Sequence, residues 1–454
     1  MEMGNEDLLN RIRANRQAKV KFAITDIDGI LRGKVISKEK FWEIAEKDTG
    51  FCDVVFGWDA NDKCYNNITY TGWHTGYPDA RARLDLSTHR QVPWDADIDF
   101  FLADFSNPEG GEVPVCPRTL LKKVIQRAEK MGFRALFSQE FEWFNFVTTP
   151  TQLAQSNFQS LQPLSPGMFG YSILRTSEHQ AFFNELFDLL ARFDIPVEGL
   201  HTETGPGVYE AAIRYDEALS AADKATLFKT AVKEIAYRHG LVATFMAKWH
   251  AGLPGCSGHL HQSLWDVNLS ESKFFDSTDP LNMSPVMKSY LAGQLACLPY
   301  ILPMFAPTVN SYKRLREGAW APTTVTWGID NRTTAIRVLN RDANSIRLEM
   351  RVPGSDSNPY LAIAASLASG IYGIANNLEL EIPQTIGNGY KNLSGGVLPS
   401  NLWDATQAMK NSLIANELFG ESFVDHFVKT REWEWMEFSK QVTDWELKRY
   451  FEII

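Results

Sequence analysis

Apolar and polar positions alternate with a strand period near the start of the chain. Val20 to Thr25 and Ile30 to Ile36 are β-rich runs separated by Asp26-Ile27-Asp28-Gly29, and Asp-Gly between such runs is a hairpin signal. Before them, Glu6 to Ala18 carries Leu8, Leu9 and Ile12 on one side and reads as a short amphipathic helix. Phe41 to Lys47 reads as another. Asp26-x-Asp28-Gly29 opens like a calcium loop, but the later ligands of such a loop are missing, so the turn is the better reading. From Phe56-Gly57-Trp58-Asp59 to about Asp85 the chain is rich in Asn, Gly, Asp and aromatics. A loop of that length in a compact domain is usually functional. Ile98 to Phe105 predicts a further strand, and residues 1–112 read as a small, mostly β domain.

The pattern changes at Gly110-Gly111-Glu112-Val113-Pro114, a plausible boundary. Pro117 then starts a helix, Arg118 to Met131, stopped by Gly132. Strands are predicted at Phe133 to Phe146, around Glu198, at Val208 to Tyr215, Leu241 to Trp249 and Gly258 to Leu264. Helices are predicted at Gln180 to Phe193, Glu217 to His239, Pro285 to Leu298 and Asn358 to Asn377, with more in the C-terminal third. Residues 113–454 therefore read as a larger catalytic domain, and the whole as α/β (α+β).

At 454 residues the chain has room for two cores. Its apolar and charged fractions, 44% and 22%, are those of an ordinary globular protein. A formal charge of −10 argues against general binding of nucleic acid or an anionic membrane. The five cysteines are scattered, with no Cys-x-x-Cys pair, which points to reduced thiols in the cytoplasm. Met1 to Lys19 lacks the apolar core of a signal peptide, and no apolar run is long enough to span a bilayer.

Against this acidic background, Arg314, Arg332, Arg337, Arg347 and Arg351 cluster around Glu349. Were Arg332 to Arg337 and Ile346 to Arg351 strands, Arg347, Glu349 and Arg351 would share one face. Guanidinium forks suit phosphate and carboxylate oxygens; a solvated charged edge strand is the plain alternative. Glu140 and Glu142 fall on one face of an apolar strand, and two such carboxylates repel unless a cation lies between them. Glu203 and Glu210 bracket the turn Thr204-Gly205-Pro206-Gly207, and His259 and His261 alternate on a strand. An oxygen-rich set with one imidazole favours Mg²⁺ or Mn²⁺ over structural zinc. Each Glu alone is better explained as solvated or salt-bridged, and for the two His residues alone a core or hydrogen-bonded role explains them as well as ligation does. Together with the arginines they form what phosphoryl transfer needs. There is no P-loop and no serine nucleophile elbow.

These segments, in this order, resemble the glutamine synthetase superfamily. The matching stretches are Gln139-Glu140-Phe141-Glu142, Glu203 through Gly207 to Glu210, Ser257-Gly258-His259-Leu260-His261, Asn310-Ser311-Tyr312-Lys313-Arg314-Leu315, Asn331-Arg332, and Arg347-Leu348-Glu349-Met350-Arg351 running into Asn358-Pro359-Tyr360. The resemblance implies an N-terminal β-grasp domain, a catalytic α/β domain, and a homo-oligomeric ring, a dodecamer of two hexamers, with active sites shared between subunits. It implies that Glu142, Glu203 and Glu210 hold one metal and Glu140, His259 and Glu349 the other. Arg314, Arg351 and the backbone at Gly255 would hold glutamate. Arg332, Arg337 and Arg347 would meet the phosphates of ATP, with Arg332 acting in catalysis, and Tyr215, His261 and Ser263 would line the nucleotide.

The departures sharpen the expectation. Where the family reads Gly-Tyr-Glu-Ala-Pro on a flap, this chain reads Gly318-Ala319-Trp320-Ala321-Pro322. In the family that Glu binds ammonium and takes its proton; Trp320 can do neither. Met168 falls where the family often has an ammonium-site Tyr, and Pro254 replaces an Asn. Asp59 is similar to the family's ammonium-binding Asp and is the candidate proton acceptor. Neutral drift on a flexible loop is the plain alternative for Trp320. The expected activity is an ATP-dependent γ-glutamyl amide ligase that joins glutamate to an amine larger than ammonia through a γ-glutamyl phosphate. The alternatives are a glutamine synthetase using ammonia and a catalytically silent relative of the lengsin kind.

Overall fold

The computed structural model describes residues 5–45, 47–107 and 111–454. The hairpin expected at Asp26-Gly29 joins β1 (Lys19–Thr25) to β2 (Leu31–Ser37). Gly29 takes φ +82°, and the Asp26 carboxylate accepts from the backbone N–H of Asp28 and Ile30, so that side chain is spent on the turn. With β3 (Thr49–Cys52), β4 (Asp79–Val92) and β5 (Ile98–Ser106) these strands make a mixed sheet, ordered β2-β1-β5-β4-β3, in which β1 and β5 run parallel.

Two expectations fail in this region. The long loop ends at Asp79, where β4 begins; Ala80, Ala82 and Leu84 are buried between exposed Asp79, Arg81 and Arg83, and small alanines mask the alternation. The first helix is Asn5–Ala14, because Asn15 leaves the helical path to donate to Asp97 O and Asp99. Gly110 of the predicted boundary and Glu46 of the second predicted helix lie outside the described residues.

The larger sheet has nine strands: β6 (Arg134–Val147), β7 (Val197–Thr202), β8 (Val208–Ile213), β9 (Asp216–Glu217), β10 (Leu241–Thr244), β11 (Gly258–Trp265), β12 (Trp327–Ile329), β13 (Ile336–Leu339) and β14 (Arg347–Met350). Its order is β12-β13-β14-β11-β6-β8-β7, with β9 and β10 also paired to β6. Along the central strand β6, Phe137, Gln139, Phe141 and Trp143 are buried on one face. The helix Ala218–Arg238 packs there, with Phe228 stacked on Phe141 at 5.7 Å. The helices Pro285–Ile301 and Pro359–Ala375 approach closely at Gly293 and Gly373; a Cβ on Gly293 would lie 2.3 Å from the Ser369 carbonyl oxygen. With its hydrophobic face covered, β6 presents Ser138, Glu140 and Glu142 on the other.

Two further strand predictions are shortened. The one from Leu241 stops at Thr244, after which the chain leaves the sheet toward Trp249. Asn331 to Ala335 is a turn, held by the Asn331 side-chain oxygen accepting from Thr333 N and Oγ1 at 3.0 and 2.7 Å, so only Ile336 onward pairs in β13. The smaller sheet docks onto the rest through Arg431 to Asp28 at 2.6 Å, Asn358 to the Asp26 and Ile27 carbonyls, and Trp433 to Asp59. All five cysteines are free. Among the described residues no helix is long and apolar enough to cross a membrane.

Candidate active site

Strand register assembles the polar face. Antiparallel partners that sit opposite one another point the same way. Glu142 lies opposite Glu210, Glu210 opposite His201, Glu140 opposite His259, His261 opposite Glu349, and Glu349 opposite Arg337. Three strands on one side of β6 and two on the other thus join β6 in delivering carboxylates, imidazoles and guanidiniums to one surface. That surface floors a cavity of about 1420 Å³.

Two donor groups converge there. In one, His259 Nδ1 stands 3.4 Å from Glu349 and 3.8 Å from Glu140. In the other, His201 Nε2 stands 3.2 Å from Glu210 and 3.4 Å from Glu203. Glu142 adjoins the second group through the sheet, and its carboxylate accepts from Ser257 N at 2.7 Å.

The electrostatics are those of a site built around positive charge. Burial pushes the Glu210 carboxyl up, and the neighbouring Glu140, Glu142 and Glu203 carboxylates push it further. Burial would also raise Glu349, but Arg351, His259, His261 and Arg337 bring it down to about 2. Burial likewise opposes ionisation of Glu140, yet hydrogen bonds from His259 and His261 hold it well below the usual carboxylate range. Burial lowers His259, and Arg351 lowers it further, so its imidazole is neutral and keeps a lone pair. A neutral imidazole with convergent carboxylates that raise one another's pKa fits a divalent cation with mixed N/O ligands.

The arginines divide by their partners. Arg337 pairs with Glu349 at 2.8 Å and with Asp330; Arg351 pairs with Glu349 and donates to the Arg332 carbonyl. The Arg332 guanidinium has no ion-pair partner among the described residues and lines the cavity. Arg347 Nε donates to His261 Nδ1 at 3.2 Å, so His261 carries its proton on Nε2, which faces Glu140 at 3.3 Å.

The "Glutamine synthetase, catalytic domain" family matches residues 114–450. The chain belongs to the glutamine synthetase family. It is an ATP-dependent carbon–nitrogen ligase. It is 52% identical to "Type-1 glutamine synthetase 2" of Dictyostelium discoideum, over all of this chain and 87% of that one. It is 37% identical to "Glutamate--isopropylamine ligase" of a Pseudomonas species, over 96% and 95% of the two chains. It is 36% identical to "Gamma-glutamylethanolamide synthetase GlnA4" of Streptomyces coelicolor, over 99% and 96%. Its fold matches a solved "GmaS/ADP complex" with TM-score 0.85 at 28% identity, covering 98% of this chain and 99% of that one.

Within this glutamine synthetase fold, Glu140, Glu142, Glu203, Glu210, His259, Glu349, Arg332, Arg337, Arg351, Gly255, Met168 and Trp320 all line the one cavity. Others anticipated from the sequence stand apart. Arg314 is buried behind the wall, donating to the Val352 and Arg351 carbonyls, so it supports Arg351 from outside the cavity. Ser263 accepts from Trp265 Nε1, and Tyr215 is exposed just past β8. Asp59 holds a turn, accepting from Asn61 N, Lys63 N and Trp433 Nε1, and is not among the described residues lining the cavity of its own chain.

Two residues were missed. His201 precedes Glu203 by two positions on β7, a period-2 signal that was present to be read. Tyr171 takes φ +56°, stacks on His201 at 4.6 Å, and lines the cavity with Met168. Tyr171 thus brings a phenol to the same cavity, beside His201 and Glu203.

Proposed function

We propose that this ligase joins L-glutamate to a primary amine larger than ammonia, releasing ADP and phosphate through a γ-glutamyl phosphate. The observation that carries the reading is Trp320. It lines the cavity, is 64% exposed and sits at φ +56°, at the position where the resemblance puts the family's ammonium-binding Glu. Its indole face can hold an alkylammonium by cation–π attraction, worth roughly 0.5–2 kcal/mol. Each methylene buried against it adds about 0.8 kcal/mol that ammonia cannot gain.

Glu140, His259 and Glu349 would hold one divalent cation, and Glu142, Glu203 and Glu210, with His201 beside them, a second. Mg²⁺ or Mn²⁺ there would neutralise phosphate charge. Arg351, held by Arg314 through the backbone, presents a fork to a glutamate carboxylate. The N–H of Gly255 serves the same substrate; a Cβ there would lie 2.5 Å from the Ala247 oxygen. Arg332 and Arg337 clamp the transferred phosphoryl group, and Arg347, His261, Ser263 and Tyr215 border the nucleotide.

We take residues 1–112 as the β-grasp unit and 113–454 as the catalytic unit, a division supported by the two sheets on either side of it. Exposed Phe169, Ile173 and Leu174, near Met168 and Tyr171 on the cavity wall, support assembly into a ring, a dodecamer of two hexamers. Asp59 would then serve a neighbouring subunit's cavity. Five free thiols suit a cytoplasmic setting.

A glutamine synthetase using ammonia is the second reading, favoured by the 52% identity to a chain of that name. The complete set of donors weighs against a silent relative. ADP release with glutamate and a panel of amines separates the three: amine-dependent, ammonia-dependent or absent.

A further inference from the structure

An alkylamine has a pKa of about 10.4, so at neutral pH it arrives as a cation and must lose a proton before it attacks. Of the six carboxylates lining the cavity, Glu140, Glu142, Glu203, Glu210 and Glu349 stand in or beside the two donor groups. The sixth is Glu317. It lies on the segment Arg316 to Trp320, which also lines the cavity and is bent by left-handed residues at Gly318 and Trp320 (φ +79° and +56°). Carboxylate and indole therefore reach the cavity from one short segment, and Glu317 belongs to neither donor group. The Glu317 carboxylate is already matched to a primary alkylammonium, since its Oε1 holds Lys391 Nζ at 2.6 Å. Both partners are more than half exposed, at 56% and 69%, so the pair can exchange.

Resting on the ligase reading above, we infer that Glu317 binds the incoming amine as its ammonium and takes its proton, the task that Trp320 cannot perform. The amine exchanges for Lys391 on the carboxylate, with its apolar body against Trp320. One N–H proton passes to Glu317. The freed lone pair forms the C–N bond to the γ-carbonyl carbon. The C–O bond to phosphate breaks with its electrons going to phosphate, and the second amine proton leaves with that phosphate. Glu317 thus sets the need for a cationic amine, and the amine's own pKa sets where an acceptor is needed.

The test compares an alkylamine with hydroxylamine, which is neutral at neutral pH and needs no such acceptor. kcat/KM for both is measured from neutral pH up to the alkylamine pKa in the wild type, Glu317→Gln, Glu317→Asp and Asp59→Asn. In Glu317→Gln the alkylamine-to-hydroxylamine ratio should fall about 100-fold at neutral pH. The deficit should close as pH approaches the amine pKa, and Glu317→Asp should recover part of it. An unchanged ratio in Glu317→Gln, an equal fall for both nucleophiles, or a selective loss confined to Asp59→Asn would overturn the assignment. A wild type that releases ADP with no alkylamine overturns the ligase reading itself, whereas an alkylamine-active enzyme indifferent to Glu317→Gln removes Glu317 only.

Discussion

Replacing Glu349 by Gln keeps its shape and removes its charge. Glu349 is 1% exposed and faces Arg337, Arg351 and His259. Two routes give the size of the effect. The carboxyl is held at about 2 against an ordinary 4.5, and at about 1.4 kcal/mol per unit that is roughly 3 kcal/mol of native-state stability. Because the folded-state value is the lower one, this contribution is present above the unfolded value and is lost as pH falls through the folded one. The second route counts charges left behind. Breaking a buried pair costs about 3–5 kcal/mol, and Arg337 retains Asp330 at 2.8 Å, so Arg351 is the main orphan and the low end applies. Urea denaturation at neutral pH should show a loss of about 3 kcal/mol in Glu349→Gln without metal. Calorimetric titration with Mn²⁺ should show one of two binding events weakened. A variant that unfolds within roughly 0.5 kcal/mol of wild type and binds Mn²⁺ as well would refute the account of this centre.

Arg351→Lys keeps the charge but loses the fork, so the KM for glutamate should rise about tenfold or more with kcat less affected; a change confined to the KM for ATP would reassign the residue. Gly207 takes φ +71° and a Cβ would sit 2.7 Å from Leu164 N and 2.8 Å from the Asn145 oxygen. Gly207→Ala should therefore cost about 1–3 kcal/mol, read from the denaturation midpoint. His426 is buried with neither ring nitrogen hydrogen-bonded, among Tyr70, Asp425, Lys429 and Arg431, and burial pushes it from 6.5 down to about 3. Its proton is taken up on unfolding, so stability is lost as pH falls from the unfolded value toward the folded one. The loss between pH 7 and pH 5 should be about 2 kcal/mol. His426→Leu should lose that much less over the same interval, checked by unfolding at both pH values.

Much of the site was legible because it lies on strands. Glu140 with Glu142, His259 with His261, and Arg347 with Glu349 are i, i+2 pairs, and that period alone puts each pair on one face. What joins the pairs is register between distant strands, such as Glu142 opposite Glu210; no local pattern encodes it, and only the resemblance brought those residues together beforehand. The same pairing adds His201, whose period-2 relation to Glu203 carried no weight until its neighbours were known. Tyr171 was hidden in an irregular segment where spacing has no meaning. Arg314 matched its motif, yet its guanidinium goes to backbone carbonyls, a choice set by burial. In the fold, β4 escaped notice because alanines fill its inward positions. The Asn331 to Ala335 turn escaped because an asparagine side chain, and not a glycine, closes it.

The central claim is that Trp320 selects an amine with an apolar body. The direct measurement is kcat/KM, with glutamate and ATP saturating, for ammonia, methylamine, a longer alkylamine, a polyamine and an aromatic amine. It is made on the wild type and on Trp320→Glu. The account predicts that the wild type prefers an amine larger than ammonia, by about 0.8 kcal/mol for each methylene buried, and that Trp320→Glu shifts the preference toward ammonia. Ammonia as the best substrate of the wild type would contradict it and make the enzyme a glutamine synthetase in activity as well as in family.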